Sequence, residues 1–210
     1  MSTISNLAAK RKHMKKSLLV ATLSIVMIGA ANRASAQAFD VGTKHLNVGI
    51  GLGSTYYGYT YLSGSDYSSI PTIFLSYDQG TSIELGPGII GLGGFIGYSS
   101  AKANYAYPGY EWNYKWTNIV VGARGNYHFL LDNEKIDAYA GLSLGLWMQS
   151  YEYTNTDPFW GGTLDSKDNY SNLYYSACVG GKYMFSESFG AFAELGWDVA
   201  LLKVGVTLGL

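Results

Sequence analysis

The 210-residue sequence contains one cysteine and four prolines, and charged residues make up only 14% of it. The single thiol, Cys178, excludes a disulfide framework and any metal site built from several cysteines. The scarcity of proline leaves few residues that would interrupt a β-strand. Tyrosine, by contrast, occurs 19 times and glycine 27 times, a composition that favours strands over helices.

The N-terminus has the three parts of a signal peptide. Several basic residues precede an apolar run over residues 18–31, and Ala34-Ser35-Ala36 supplies the small residues of a cleavage site. The run falls short of the ~20 residues that a membrane-spanning helix needs. We therefore predict a signal peptide over residues 1–36, cleaved before Gln37, and one mature domain over residues 37–210.

Removal of this segment leaves an acidic chain. Six of the fourteen Lys and Arg residues lie within residues 1–36 and none of the acidic residues does, so eight basic residues remain against fifteen acidic ones, a net charge of −7. A protein with an acidic surface and no basic stripe binds nucleic acid poorly, because the phosphate backbone is negatively charged. We predict no nucleic acid partner.

Period-two alternation of apolar with small or polar residues runs along nearly all of the mature segment. From Ile136 to Leu146, for example, every second residue is apolar, and Asp, Tyr, Gly and Ser stand between them. Such runs approach the ~9 to 11 residues of a tilted membrane strand. They predict an all-β fold, an eight-stranded antiparallel up-and-down transmembrane β-barrel, with strands at about 44–54, 70–78, 82–98, 114–130, 135–151, 172–185, 189–198 and 202–210.

The connections between these strands alternate in length. Tight turns are predicted at residues 78–81, 131–134 and 186–188, and long polar loops at residues 55–69, 99–113 and 152–171. Short turns at one end and long loops at the other are typical of outer-membrane barrels. In the third strand the apolar residues change parity near Ile89 and Ile90, which predicts a β-bulge.

Charged residues on the predicted strands fall on the face opposite the apolar one. A charge facing lipid costs roughly 2 to 4 kcal/mol at the bilayer midplane, whereas a charge in the lumen is available for pairing. An eight-stranded barrel is just wide enough for side chains to fill it, and unpaired charges inside are costly. We therefore predict a neutral network that fills the lumen, made of Glu84, Arg124, Lys182, Glu194, Asp198 and Lys203.

Aromatic residues cluster at the predicted strand ends and in the long loops. One interpretation is a girdle, in which amphipathic rings lie at the level of the lipid headgroups. The other is a surface that binds a glycan or a protein, because tyrosine supplies contact area at low entropic cost. The candidates for such a binding surface are Tyr57, Tyr59, Tyr107, Tyr110, Trp112, Phe159 and Trp160.

These features resemble the small outer-membrane barrel proteins of the OmpX/OmpA type, particularly the Bacteroidetes group with an outer-membrane protein β-barrel domain. The resemblance rests on the signal peptide, the eight alternating strands and the closing segments 189–197 and 204–208. It covers nearly all of the mature chain. It implies residence in the outer membrane, contact with lipid and lipopolysaccharide, and no assigned chemistry for most members.

The predicted function is a structural or surface-binding role for a barrel with a filled lumen. The alternatives are a narrow pore, a lumen for a small ligand, a soluble lipocalin-like barrel whose apolar face points inward, and an enzyme that modifies lipid A. A hydrolase needs a nucleophile with a base in reach. His45 and His128, which remain after processing, stand near predicted strand ends without such a partner in sequence. We predict no enzymatic activity, no cofactor and no metal ion.

Overall fold

The computed structural model describes residues 38–54, 66–131, 133–156, 164–197 and 199–210, without the side chains of Ser54, Tyr107, Tyr110 and Leu164. The predicted signal peptide and its cleavage site lie outside this part of the chain. Among the residues described, no helix is long and apolar enough to cross a membrane.

Eight strands of the described chain close into one antiparallel barrel, in which successive strands are neighbours and the last strand pairs with the first. They are β1 (Lys44–Ser54), β2 (Asp66–Leu85), β3 (Gly88–Tyr107), β4 (Tyr110–Phe129), β5 (Ile136–Asn155), β6 (Leu164–Ser186), β7 (Phe189–Trp197) and β8 (Ala200–Gly209). The predicted all-β, up-and-down, eight-stranded barrel is confirmed. Closure pairs the edges that an open sheet would leave exposed.

The pleat of each strand sorts its side chains between the inside and the outside of the barrel. On β5, Tyr139 and Ser143 are buried, whereas the neighbouring Leu142 and Leu144 are 70% and 58% exposed. The other strands repeat this division over most of their length, with polar or small residues inward and aliphatic residues outward. The period-two pattern of the sequence is thus the division between the two faces of one closed sheet.

The strands differ in length, so the barrel wall has two heights. β1, β7 and β8 have 9 to 11 residues, whereas β2 to β6 have 20 to 23. At about 3.3 Å per residue, the long strands exceed the short ones by about 30 Å. The lower end of the barrel is the one with the start of β1 and the end of β8. The long strands project mainly beyond the opposite end, which we call the upper end. We call the projecting part the upper sheet; it consists of residues 66–71, 99–107, 110–118, 148–155 and 164–173.

Two predicted connections are wrong. The chain turns at Gly86-Pro87 rather than at residues 78–81, and Gly86 adopts a φ of 55° there. Residues 78–81 continue β2 because Asp78 points into the barrel, where other side chains pair with its charge. The segment 99–113 is mostly strand as well, since β3 and β4 run through it and meet at Pro108-Gly109.

The last predicted long loop is also shorter than expected. Of residues 152–171, those up to Asn155 belong to β5 and those from Leu164 onward belong to β6. These segments are mostly polar, with Tyr153 and Tyr170 as their aromatic residues, and neither has an aliphatic face. A pattern without an aliphatic face is easily taken for a loop, although both faces here suit a sheet in water.

The irregularity predicted near Ile89 and Ile90 lies on the neighbouring strand. β3 pairs with β4 without interruption throughout its length. The register between β2 and β3 shifts instead between Gly80 and Glu84, which stand opposite Gly91 and Ile89. The extra residues therefore belong to β2, near the lower end of the barrel.

Candidate functional site: a filled lumen and an aromatic upper sheet

The middle of the lumen holds an ion cluster of Arg124, Tyr139, Glu194 and Lys203. Glu194 Oε2 accepts hydrogen bonds from Arg124 Nη2 at 2.6 Å and from the hydroxyl of Tyr139 at 2.9 Å. Glu194 Oε1 forms an ion pair with Lys203 Nζ. All four side chains are buried. One carboxylate thus holds two cations together across β4, β5, β7 and β8.

The register of the barrel builds this cluster. Glu194 on β7 stands directly opposite Lys203 on β8, with both side chains turned inward. Arg124 reaches them from β4 and is fixed by further hydrogen bonds from Nε to Asn126 Oδ1 at 2.8 Å and from Nη2 to Cys178 Sγ at 2.9 Å. Buried charges are stable when they are paired and hydrogen-bonded in this way.

Nearer the lower end lies a second group, the lower cluster, made of His45, Asp78, His128, Asp137 and Lys182. The imidazole of His128 lies between two carboxylates, with Nδ1 2.8 Å from Asp137 and Nε2 3.0 Å from Asp78. Lys182 Nζ lies 3.1 Å from Asp137 and 3.6 Å from Asp78, and 3.3 Å from His45 Nδ1. Every charged group of this cluster has a partner of opposite charge.

Phe39 closes the lower cluster from below. Its ring is buried and stacks on the imidazole of His128 with 3.5 Å between centroids, and Lys182 Nζ lies 4.9 Å from its centre. Two backbone hydrogen bonds hold this segment at the rim. Gly42 N–H donates to the carbonyl of Gly80, and Gly80 N–H donates to the carbonyl of Thr43. A side chain at Gly80 would overlap the carbonyl of Asp40, so glycine at this position lets the segment pack closely against β2.

Next to the ion cluster, and mostly toward the upper end, the lumen is apolar, and Lys203 Nζ lies 4.3 Å from the centre of the Phe74 ring. Buried side chains from five strands and the β7–β8 connection pack together there: Phe74, Phe95, Val120, Tyr174, Phe192 and Val199. A Cβ at Gly49 or Gly205 would collide with the ring of Phe192 and with the facing backbone. Glycines on the inner face thus make room for the large side chains that fill the barrel.

The predicted lumen network is placed only in part as expected. Arg124, Glu194 and Lys203 meet in the ion cluster, and Lys182 lies in the lower cluster. Asp198 lies outside the described residues. Glu84 does not belong to the lumen: its side chain is exposed. The physical reason is the later turn, because β1 begins opposite Gln79 and Glu84 stands five residues below that rim.

Four lumen residues were not in the predicted network: His45, Asp78, His128 and Asp137. The sequence places the two histidines near predicted strand ends and Asp78 at the start of a predicted turn. A usable signal was present, since each of the four has the inward parity of its strand. All four lie within the predicted strands, so applying the parity count up to the first and last residues of each strand locates them.

The inner face of the upper sheet is aromatic. Side chains with the same parity as the lumen residues form what we call the aromatic face: Tyr105, Trp112, Tyr114, Trp116, Tyr151 and Tyr153. Tyr114 lies at its centre, stacked on Trp116 at 5.9 Å and 5.0 Å from Tyr153 between ring centroids. Burial raises the pKa of Tyr114, so its hydroxyl stays protonated at neutral pH.

The structure places one of the seven predicted binding residues on this face. Trp112 belongs to it, whereas the side chains of Tyr107 and Tyr110 are not described and the other four lie outside the described residues, namely Tyr57, Tyr59, Phe159 and Trp160. Rings that point inward above the lumen do not form a girdle. Outward aromatic residues border the aliphatic band at both ends. Near the lower end Tyr127 packs on Phe129 and Tyr183 on Phe185, and toward the upper end Tyr98, Tyr175 and Trp197 are exposed.

The described part of the chain contains no group of three or more His, Cys, Asp and Glu residues arranged to hold a metal ion. Both ring nitrogens of His128 face carboxylates and its ring is covered by Phe39. The lumen groups are therefore engaged with one another. The arrangement suits a structural network, while the aromatic face is the surface whose chemistry suits a ligand.

No family model matches the sequence, and no curated protein does. Among solved structures, the chain is similar to Ail, the attachment invasion locus protein of Yersinia pestis, in complex with the heparin analogue sucrose octasulfate, with 14% identity and a TM-score of 0.40 over 80% of this chain and 96% of that one. A second Ail structure gives 12% identity and a TM-score of 0.37 over the same shares. The ferric yersiniabactin uptake receptor FyuA of Yersinia pestis gives 13% and 0.32 over 63% of this chain and 22% of that one. These values are too low to transfer a function.

Proposed function

We propose that the chain is an exported protein whose signal peptide is removed and whose barrel spans a bacterial outer membrane, as expected of the OmpX/OmpA type and of the Bacteroidetes group. Side chains fill its lumen, and the upper sheet binds a ligand at the cell surface. The lower end then faces the periplasm and the upper end the exterior. The barrel acts as a binding protein rather than an enzyme.

The observation that carries this proposal is a reversal of polarity along the long strands. Lower down, the outward residues are aliphatic and exposed, as at Val121, Leu142 and Leu146. In the upper sheet the outward positions include Lys115 and Glu152, and aromatic rings occupy the inner face. A soluble lipocalin-like barrel would bury its aliphatic face, whereas lipid covers an outward aliphatic band with polar surface beyond it.

The filled lumen predicts poor conduction. Phe39, the lower cluster, the ion cluster and the apolar side chains follow one another along the barrel and occupy its interior. In planar bilayers the refolded protein should give little or no single-channel current. Stable openings of large conductance would contradict the filled lumen and favour a pore.

Ligand binding by the aromatic face is tested with paired variants of β4. Tyr114→Ala with Trp116→Ala removes two central rings, and buried Trp and Tyr anchors each carry about 2 kcal/mol or more of binding energy, so affinity should fall at least about thirtyfold. Arrays of immobilised glycans and extracellular matrix proteins would supply the ligands. The control is Asn113→Ala with Thr117→Ala, on the other face of the same strand, which should bind as the natural protein does. Equal binding by both double variants would contradict a role for the aromatic face.

A further inference from the structure

The outer face of the upper sheet carries one row of charged residues across four adjacent strands. The register places Lys102 opposite Lys115, Lys115 opposite Glu152, and Glu152 opposite Lys167. Neighbouring strands are about 4.8 Å apart, so the row is about 15 Å long. We call these four residues the lysine row.

The lysine row has excess positive charge. Glu152 accepts hydrogen bonds from Lys115 Nζ at 2.8 Å and from Lys167 Nζ at 3.0 Å. These two bonds lower the pKa of Glu152 to about 2, so it is ionised at neutral pH. Within the row, one carboxylate against three ammonium groups leaves two positive charges. The other outward acidic residues of the described upper sheet lie above the row, farther from the aliphatic band: Asp66, Glu111 and Asp165. Lys102 makes no ion pair with any residue that the structure describes, and it faces Lys115, an arrangement of like charges that is unfavourable in a sheet.

The distribution of basic residues makes this row unusual within the chain. Of the eight basic residues that follow the predicted signal peptide, Arg124, Lys182 and Lys203 lie in the lumen, and Lys44 and Lys135 lie at the lower end. The remaining three form the lysine row. All basic residues at the upper end therefore share one outward face, in a mature chain with a net charge of −7.

The row also lies at a defined height above the aliphatic band. Lys102 and Lys115 follow the outward apolar residues Tyr98 and Ile119 at a distance of four residues along their strands. For strands tilted by about 40°, four residues rise about 10 Å. This is the zone in which headgroups lie above the hydrocarbon core. Side chains on the outward face there meet lipid headgroups rather than the protein's own lumen.

We infer, on the basis of the proposed outer-membrane location, that the lysine row binds the phosphorylated headgroup of lipopolysaccharide in the outer leaflet. Lysine binds phosphate as a point charge, and basic residues close to an anionic lipid surface are attracted to it. A sugar headgroup with several anionic groups matches three ammonium groups spread over about 15 Å better than a phospholipid with one phosphate. Glu152 positions two of the lysines for this contact.

The test compares three forms of the refolded barrel in detergent micelles, titrated with fluorescently labelled deep-rough lipopolysaccharide. Lys102→Gln, Lys115→Gln and Lys167→Gln together remove the row's cations. The control, Lys44→Gln with Lys135→Gln, removes two cations at the lower end by the same type of substitution. Each cation near an anionic lipid surface raises the affinity for that surface by roughly a factor of five, so the triple variant should bind lipopolysaccharide at least about tenfold more weakly. The control should bind within about twofold of the natural barrel.

Two further arms separate the possible outcomes. Dephosphorylated lipopolysaccharide should compete poorly, and affinity for the phosphorylated form should fall with added NaCl. Equal affinity of the triple variant and the control would overturn the lysine row as the site, while a heat-dependent shift in gel mobility of both proteins would leave the proposed barrel standing. A natural protein that inserts into neither micelles nor vesicles would overturn the proposed function and this inference together. Equal competition by phosphatidylglycerol would overturn the assignment to lipopolysaccharide.

Discussion

Glu194→Gln should strongly destabilise the barrel, with a loss of about 3 to 5 kcal/mol in the free energy of unfolding. The substitution keeps the shape of the side chain and removes the charge that pairs with both Arg124 and Lys203. Two buried cations would then lack their counter-ion in the middle of the lumen. Urea titration of the refolded barrel in phosphatidylcholine vesicles, followed by tryptophan fluorescence, measures the difference.

Glu84→Gln is the matched control for this experiment. It makes the same chemical change at an exposed position below the lower rim, and surface changes of this kind usually remain within about 0.5 kcal/mol. If the two variants unfolded at the same urea concentration, the ion cluster would not contribute to the stability of the barrel. A small effect of Glu84→Gln would also show that Glu84 lies outside the lumen.

Leu142→Arg should cost about 2 to 4 kcal/mol when the barrel unfolds from a bilayer. Leu142 lies in the middle of the outward apolar run from Ile136 to Met148 on β5 and is 70% exposed, so in a membrane it contacts lipid tails. The same substitution on a soluble barrel would place arginine in water at almost no cost. The measurement is again urea unfolding from phosphatidylcholine vesicles.

The control for this second experiment is Asn169→Arg on β6. Asn169 shares the outward parity but lies in the upper sheet, beyond the aliphatic band. Near or beyond the interface a charge costs only about 0 to 1 kcal/mol. A large loss at Leu142 with a small one at Asn169 would locate the band in the membrane. Equal small losses would mean that lipid does not cover the outer face.

The sequence was sufficient to predict the barrel because alternation is a property of each strand alone. Each run such as Ile136 to Leu146 indicates its own inward and outward faces, and eight such runs with short lower turns leave closure as the simplest way to pair all edges. The inward parity of Arg124, Lys182, Glu194 and Lys203 followed from the same pattern.

The limits of that prediction lie where polarity ceases to distinguish strand from loop. Asp78 is followed by Gln, Gly and Thr, a stretch that resembles a turn unless the lumen partners of Asp78 are known. The upper sheet has no aliphatic face, so its strands resemble polar loops in sequence. Which inward residues meet depends on the register around the ring, which brings to His128 both Asp137, nine residues away across a turn, and Asp78, 50 residues away.

Fractionation of cells that express the full-length chain, followed by gel electrophoresis of the membrane fraction with and without boiling, tests the proposed location most directly. We expect recovery with the outer membrane and a heat-dependent change in mobility, because a closed barrel with a paired, filled lumen resists detergent until it is boiled. Recovery in the soluble periplasmic fraction, with the same mobility before and after boiling, would contradict the proposed location and would mean that water rather than lipid surrounds the aliphatic face.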